Sequence, residues 1–332
     1  MPGLTEPNQV GKREDLADLI SMVDAKDTPL ASMIPKGAKL TASLFSWQAD
    51  AYDKPNQDGV VDGTDVSTFN NKAKNRAKLD GRVQWVREPW MVSKLSQDLS
   101  DVAGVKSEKA RAIAHCLTEM KRSIEAIIGS DAESQADDGT KPYKTRGLGS
   151  WISNSAQSDL PVPEAYRTPT GSLNNTASGS LTESAVQDVL ESSYQQSGKR
   201  SGFSLVCGTK LKRTFTGFAQ YVPDKTSHLA VRRQTQAAPM KIEASVAAFE
   251  GDFGSIVLIP DLWLAYSAGL ATSATNFRGY LLDMSMLELR YLDRPGNQEL
   301  EDKGGGPRGY VDTIFGLVCK NPLALGKLYA TS

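Results

Sequence analysis

The sequence predicts an α+β fold, and three observations point there. A stretch with β-type alternation flanks a long polar excursion near the N-terminus. One helical stripe of more than twenty residues follows it. The remainder mixes short apolar strands with shorter helices and shows no internal repeat. The chain has 332 residues, 39% hydrophobic and 23% charged, so it holds enough apolar material for a substantial core and too much for wholesale disorder. Lys and Arg (38) nearly cancel Asp and Glu (39), giving a formal net charge of −1. That balance argues against a dedicated nucleic-acid binder, which carries a basic excess or patch.

Taken in order, residues 1–12 are polar and read as an arm. Leu16, Leu19, Ile20 and Val23 then recur at helical spacing. Asp27-Thr28-Pro29 ends that segment, and residues 30–34 form an apolar patch. Leu40, Ala42, Leu44, Phe45 and Trp47 read as a strand. Residues 49–71 are rich in Asp, Asn and Gly with few apolar anchors, so they cannot bury themselves and read as the tip of an excursion. Lys72, Lys74, Arg76 and Lys78 alternate with small or polar residues, and Val83, Trp85, Met91 and Val92 complete the return strand of an extended hairpin. The clearest helix starts at a Ser107 cap and carries Ala110, Ile113, Ala114, Leu117, Met120, Ile124, Ile127 and Ile128 on one stripe. Over residues 107–131 it would be ~35 Å long, a spine.

Residues 135–146 are polar and turn-rich, Gly147 to Ile152 is an apolar landmark, and residues 153–179 read as loop. Thr182 caps a second helix through Val186, Val189, Leu190 and Tyr194 to a Gly198 stop. Residues 203–207 form a buried strand and 209–218 a helix. Alternation at Ile242, Ala244, Val246 and Ala248, then the apolar run 256–259, give further strands. Residues 281–292 read as one strand ending at Asp293-Arg294-Pro295. The loop 296–308 is acidic then glycine-rich, and strands at 311–318 and through Leu325 and Leu328 close the chain.

Few residues suggest chemistry. Gly304-Gly305-Gly306-Pro307-Arg308-Gly309 matches GxGxxG, but an acidic loop precedes it, a strand follows and Pro307 removes a donor, so a plain loop is the better reading. Cys116, Cys207 and Cys319 are far apart and read as buried hydrophobes. His115 reads as a packed or capping side chain and His228 as a surface residue. A dyad with Cys116 is geometrically poor, because adjacent helix residues point about 100° apart. Asp58, Asp62 and Asp65 lack calcium-loop spacing, so no metal or other cofactor is expected. No run approaches the ~20 apolar residues of a membrane span and no signal peptide is evident, so no membrane partner is expected. The basic cluster Lys72, Lys74, Arg76 and Lys78 fits a solvated strand face, an acidic neighbouring subunit or a phosphate; the near-zero net charge favours the subunit.

The order of segments resembles the HK97-fold major capsid proteins of tailed bacteriophages, and specific stretches resemble the SU10-type major head protein family. They are Asp27-Thr28-Pro29-Leu30-Ala31-Ser32-Met33-Ile34 and Ser46-Trp47-Gln48-Ala49-Asp50, then Val92-Ser93 through Asp101-Val102-Ala103-Gly104, and the spine helix with Glu125-Ala126. Gly147-Leu148-Gly149-Ser150-Trp151-Ile152, Asp252-Phe253-Gly254, Leu292-Asp293-Arg294-Pro295, residues 299–309, and Asn321, Ala324 and Gly326 continue it in order across nearly the whole chain.

This resemblance implies an HK97-like capsid fold with an N-arm (residues 1–39) and an extended β-hairpin E-loop (40–91). A peripheral domain with the long spine helix (92–146), an axial domain (147–275) and a return to the peripheral domain (276–332) would complete it. It implies a non-enzymatic head protein, assembled in the host cytoplasm into hexamers and pentamers of an icosahedral shell around double-stranded DNA. The DNA would be touched weakly and non-specifically, with portal, scaffold and decoration proteins as further partners. Any scaffold would be a separate protein, since no long helical extension precedes the arm. Candidate inter-subunit contacts are Lys72, Lys74, Arg76, Lys78, Asp58, Asp62, Leu16 and Leu19. An encapsulin-like shell around protein cargo shares the implied fold. A soluble enzyme with its site in residues 147–275 is the reading from another class.

Overall fold

The computed structural model describes residues 27–98, 107–176, 181–219, 247–264 and 277–330. Three sheets carry the architecture: a two-stranded ribbon β1 (Leu44–Ala49) and β2 (Ala77–Arg82); a three-stranded antiparallel sheet in the order β3 (Gln84–Met91), β10 (Arg308–Cys319), β9 (Leu287–Leu300); and a six-stranded mixed sheet. The last has the order β4 (Leu173–Asn175), β11 (Gly326–Tyr329), β8 (Gly279–Asp283), β5 (Phe203–Cys207), β7 (Gly254–Pro260), β6 (Ala248–Gly251). The helices are α1 (Pro29–Met33), α2 (Lys94–Asp98), α3 (Glu108–Ile128), α4 (Leu148–Trp151), α5 (Glu183–Ser197) and α6 (Thr209–Ala219).

The spine helix α3 starts where Ser107 Oγ accepts the Ala110 amide, with Glu108 in the first turn to oppose the helix dipole. It buries Cys116, Met120, Ile124 and Ile128, a four-residue step that lays one face on the three-stranded sheet. Tyr280 on β8 donates to the Gly129 carbonyl at 2.9 Å, satisfying an orphan acceptor at the spine's C-terminus. Immediately beyond, Asp131 takes Lys327 Nζ at 2.7 Å and Arg278, so spine and six-stranded sheet meet at one carboxylate with two cations. Helix α5 behaves as its local signals say: Thr182 caps the Ala185 amide, and Gly198, at φ +67°, ends the helix where an L side chain would be strained. Its Val186, Val189 and Leu190 share a second core with Phe203, Leu205, Leu211, Phe215 and Leu281.

The apolar patch at residues 30–34 takes the form of a short helix, α1, whose Leu30 is fully buried in the spine core together with the following Ile34. Several expectations change. The strand after the excursion splits at Val83, so only β2 pairs with β1, while β3 turns away to pair with β10. Likewise residues 281–292 belong to two strands in different sheets. They are separated by a 3-10 turn at Met284–Met286, where Asp283 accepts the Ser285 amide. Strand β9 also runs through Pro295 instead of stopping there. β9 is an edge strand, and its register against β10 jumps from Asp293↔Ile314 to Gly296↔Asp312, so Arg294 and Pro295 sit in a bulge that needs no proline donor. Finally, the helix stripe was misphased at its start, where Ala110 and Ala114 are exposed and Cys116 is buried. The three cysteines are free and buried. Leu16, Leu19, His228, the 101–104 motif and the alternation at 242–246 lie outside the described residues.

Candidate functional site

The ribbon β1–β2 is anchored at its root and bare at its tip. At the root, Phe45, Val83, Leu40 and Val318 form a small apolar cluster. Phe45 lies flat because the facing residue is Gly81, where a Cβ would come within 2.7 Å of the ring. Phe45 stacks on Trp47 at 5.9 Å, and Trp47 tilts against Trp151 of α4 at 5.6 Å. Arg82 grips Asp159 in a two-pronged pair at 2.8 and 3.2 Å, which holds the Asp159 carboxyl below the usual range. Tyr166 donates to the Asn75 carbonyl. The direction in which the hairpin leaves the body is thus fixed by residues 151–166.

Beyond Asn75 that support ends. Tyr52, Val60, Val61, Val66 and Phe69 are 71–101% exposed, a concentration of bare apolar side chains that marks an interaction surface. Asp58 and Asp62 are exposed among them. Hydrogen bonds here are local, such as Asp58 N to Asn56 Oδ1 and Thr64 N to the Val61 carbonyl.

The basic cluster is paired within the same hairpin. Lys74 and Lys72 reach Asp53 at 3.0 and 3.5 Å, Arg76 reaches Asp50 at 3.2 Å and Lys78 reaches Asp80 at 2.9 Å. The hydrogen bond from Lys74, helped by Asn75, holds the Asp53 carboxyl below its usual range. Such exposed pairs contribute little to stability. The extreme tip, residues 55–71, carries Asp58, Asp62 and Asp65 and no basic side chain.

A second surface was not picked out from the sequence. On the sheet face turned away from α3, Trp85, Arg87, Pro89 and Met91 alternate along β3, beside Tyr310 and Arg308 on β10 and Leu300 on β9. The Arg87 guanidinium lies 4.3 Å from the ring centres of both Trp85 and Tyr310, and Trp85 Nε1 donates to Asp312 at 3.0 Å. Trp85 and Met91 remain 54% and 60% exposed. The period-two spacing was the available signal. A shallow groove of about 440 Å³ between Met91, Ser93 and the start of α3 is lined by Glu108, Arg111 and His115. Among the described residues no cluster of His, Cys, Asp and Glu could hold a metal ion, and no helix is long and apolar enough to cross a membrane.

These features agree with what the chain resembles. The family model described as SU10 major capsid protein matches residues 4–332. No curated protein sequence matches. Among solved structures, the capsid asymmetric unit of Cyanophage A-1(L) superposes with a TM-score of 0.63 at 11% identity, covering 98% of this chain and 97% of that one. A Mycobacterium phage Cain chain gives a TM-score of 0.62 at 13% identity, covering 99% of each. The capsid of the native GTA particle gives 0.59 at 10% identity, covering 97% and 96%. The fold is the HK97-like capsid fold.

Proposed function

The chain belongs to the SU10 major capsid protein family, a shell-forming protein of the phage virion, and from that premise we propose how its parts divide the work. Residues 1–39 serve as an N-arm reaching onto a neighbouring copy, and residues 40–91 as an E-loop laid over an adjacent copy. Residues 92–146 and 276–332 form the peripheral domain, and residues 147–275 the axial domain around hexamer and pentamer centres. The shell encloses double-stranded DNA, with no catalytic step and only weak, non-specific contact to the nucleic acid. Portal, scaffold and decoration proteins are its further partners, and assembly takes place in the host cytoplasm.

The observation that carries this reading is the bare tip of the hairpin. Ordering it costs about 1–2 kcal/mol per residue, and among the described residues only local hydrogen bonds and exposed ion pairs offset that. Burial on a sister copy supplies the rest. Repeated around a ring, modest contacts of this kind reinforce one another through high effective concentration. Asp58 and Asp62, with the paired Lys72, Lys74, Arg76 and Lys78 behind them, supply the polar rim of that contact.

The test is the combined substitution Val60→Ser, Val61→Ser and Phe69→Ser. These side chains touch no core, so the subunit's thermal midpoint should stay unchanged. Particle yield by sedimentation should collapse to free subunits or capsomers. Shells forming at the unsubstituted yield would show that the tip contributes nothing to closure.

A further inference from the structure

Where the N-terminal segment joins the body, two buried carboxyl groups meet. Glu125, on the spine helix, is 1% exposed, and Asp261, just past the end of β7, is 2% exposed. Glu125 accepts the amides of Leu30 and Ala31, each at 2.6 Å, so it caps the first turn of α1 with both oxygens. The local sequence does not do this, because Thr28 at the cap position makes no side-chain capping bond. Asp261 Oδ1 accepts the Trp263 amide at 2.8 Å, while Oδ2 is buried with no donor. The two carboxyls lie close enough that Asp261 raises the Glu125 pKa while Glu125 holds that of Asp261 down. Two acceptors in that position require a proton between them. Trp263 adds a second tie, its indole Nε1 donating to the Asp27 carbonyl at 2.7 Å. One carboxyl pair therefore joins the root of the N-terminal segment, the spine and the six-stranded sheet.

Among the described residues, no cation stands among the main influences on either carboxyl. The α1 helix (Pro29–Met33) carries no charged side chain, and Asp27 beside it adds further negative potential at Asp261. From the spine, Arg122 sits over the Trp263 ring, 5.0 Å from its centre. From β5, the Cys207 carbonyl accepts the Asp261 amide, and burial pushes the Cys207 thiol up to about 12, so it stays neutral. Burial raises both carboxyls, Glu125 to about 8 and Asp261 to about 6.

We propose that Glu125 and Asp261 form a proton-dependent latch: a shared proton keeps α1 docked on the spine, and its loss to solvent frees residues 27–34 and with them the base of the N-terminal segment. The sign follows from linkage. The docked form holds a proton that the open form, with ordinary carboxyls, has already released. Opening therefore becomes more favourable as pH rises from the ordinary carboxyl range to about 8, and constant above it. One retained proton makes the slope about tenfold per pH unit.

Hydrogen exchange on the full chain reads this directly, after correction for intrinsic exchange chemistry. Protection of the Leu30 and Ala31 amides should fall about tenfold per pH unit between about pH 5 and 8 and then level off. The β5 amides (Phe203–Cys207) should not change. Asp261→Asn, which places an amide donor against Glu125, should hold protection constant across that range. Glu125→Gln should show lower protection at every pH and likewise no slope. A protonated-carboxyl infrared band at pH 7 should be present in the parent chain and absent from both variants. Constant protection in the parent chain, a slope retained in Asp261→Asn, parallel loss at β5 or a missing infrared band would each overturn the latch. Should Asp261→Asn fail to fold, Glu125→Gln and the parent chain's own profile and band still decide.

Discussion

Ile124→Asp lowers folding stability by about 4 kcal/mol, enough to remove soluble subunits from expression. Ile124 lies one turn beyond Met120 and one turn before Ile128, all buried in the core shared by the spine and the β3-β10-β9 sheet. A carboxyl there either ionises without a partner or is protonated without an acceptor for its O–H, and both cost several kcal/mol. Ile124→Val removes only a methylene and should cost about 1 kcal/mol. The contrast between the two, measured by urea unfolding of whatever refolds, separates buried charge from lost volume. Parent-like solubility and unfolding midpoint in Ile124→Asp would mean that the spine's buried face is wrongly assigned.

The second large effect is Arg146→Ala, at about 3–4 kcal/mol. Arg146 is fully buried, and its Nη2 donates to the carbonyls of Asp159 at 2.7 Å and Leu160 at 2.6 Å. The guanidinium lies 4.4 Å from the centre of the Trp151 ring. Leu160 takes a positive φ of 47°, which is costly for a branched side chain and persists because its carbonyl is held. Burial lowers the Arg146 pKa to about 10, which leaves it charged at neutral pH. Truncation would orphan the Leu160 carbonyl, leave the Asp159 carbonyl to Ser134 Oγ alone, open a cavity over Trp151 and loosen the loop that bears Asp159, the partner of Arg82 at the hairpin root. Arg146→Lys should recover only part of the loss, since an ammonium cannot lie flat on the indole while reaching both carbonyls. An unfolding midpoint for Arg146→Ala close to the parent's would contradict this account of the root.

What could be read from the sequence was what local chemistry determines. The Ser107 and Thr182 caps, the Gly198 stop and the spine itself follow from residues within a few positions of each other. The tip announces itself by a composition rich in Asp, Asn and Gly, and the few apolar side chains it does carry are left bare. Glu125 was invisible for the opposite reason: a glutamate in a helix reads as solvated. Only the approach of α1, 94 to 95 residues earlier in the chain, buries it and gives it two amides to cap. Pro295 misled because its tolerance depends on an edge position and a bulge, which are facts of pairing. The Trp85, Arg87, Pro89 and Met91 face alternates openly in the sequence. Its side chains are too mixed in character to register as one surface until Tyr310 comes alongside.

Electron microscopy of the purified full chain, carried to a resolution that traces the hairpin, tests the central claim most directly. The account predicts closed shells in which Tyr52, Val60, Val61 and Phe69 are covered by a neighbouring copy. Particles in which those side chains stay bare, or isolated chains with the tip folded back on their own body, would contradict it.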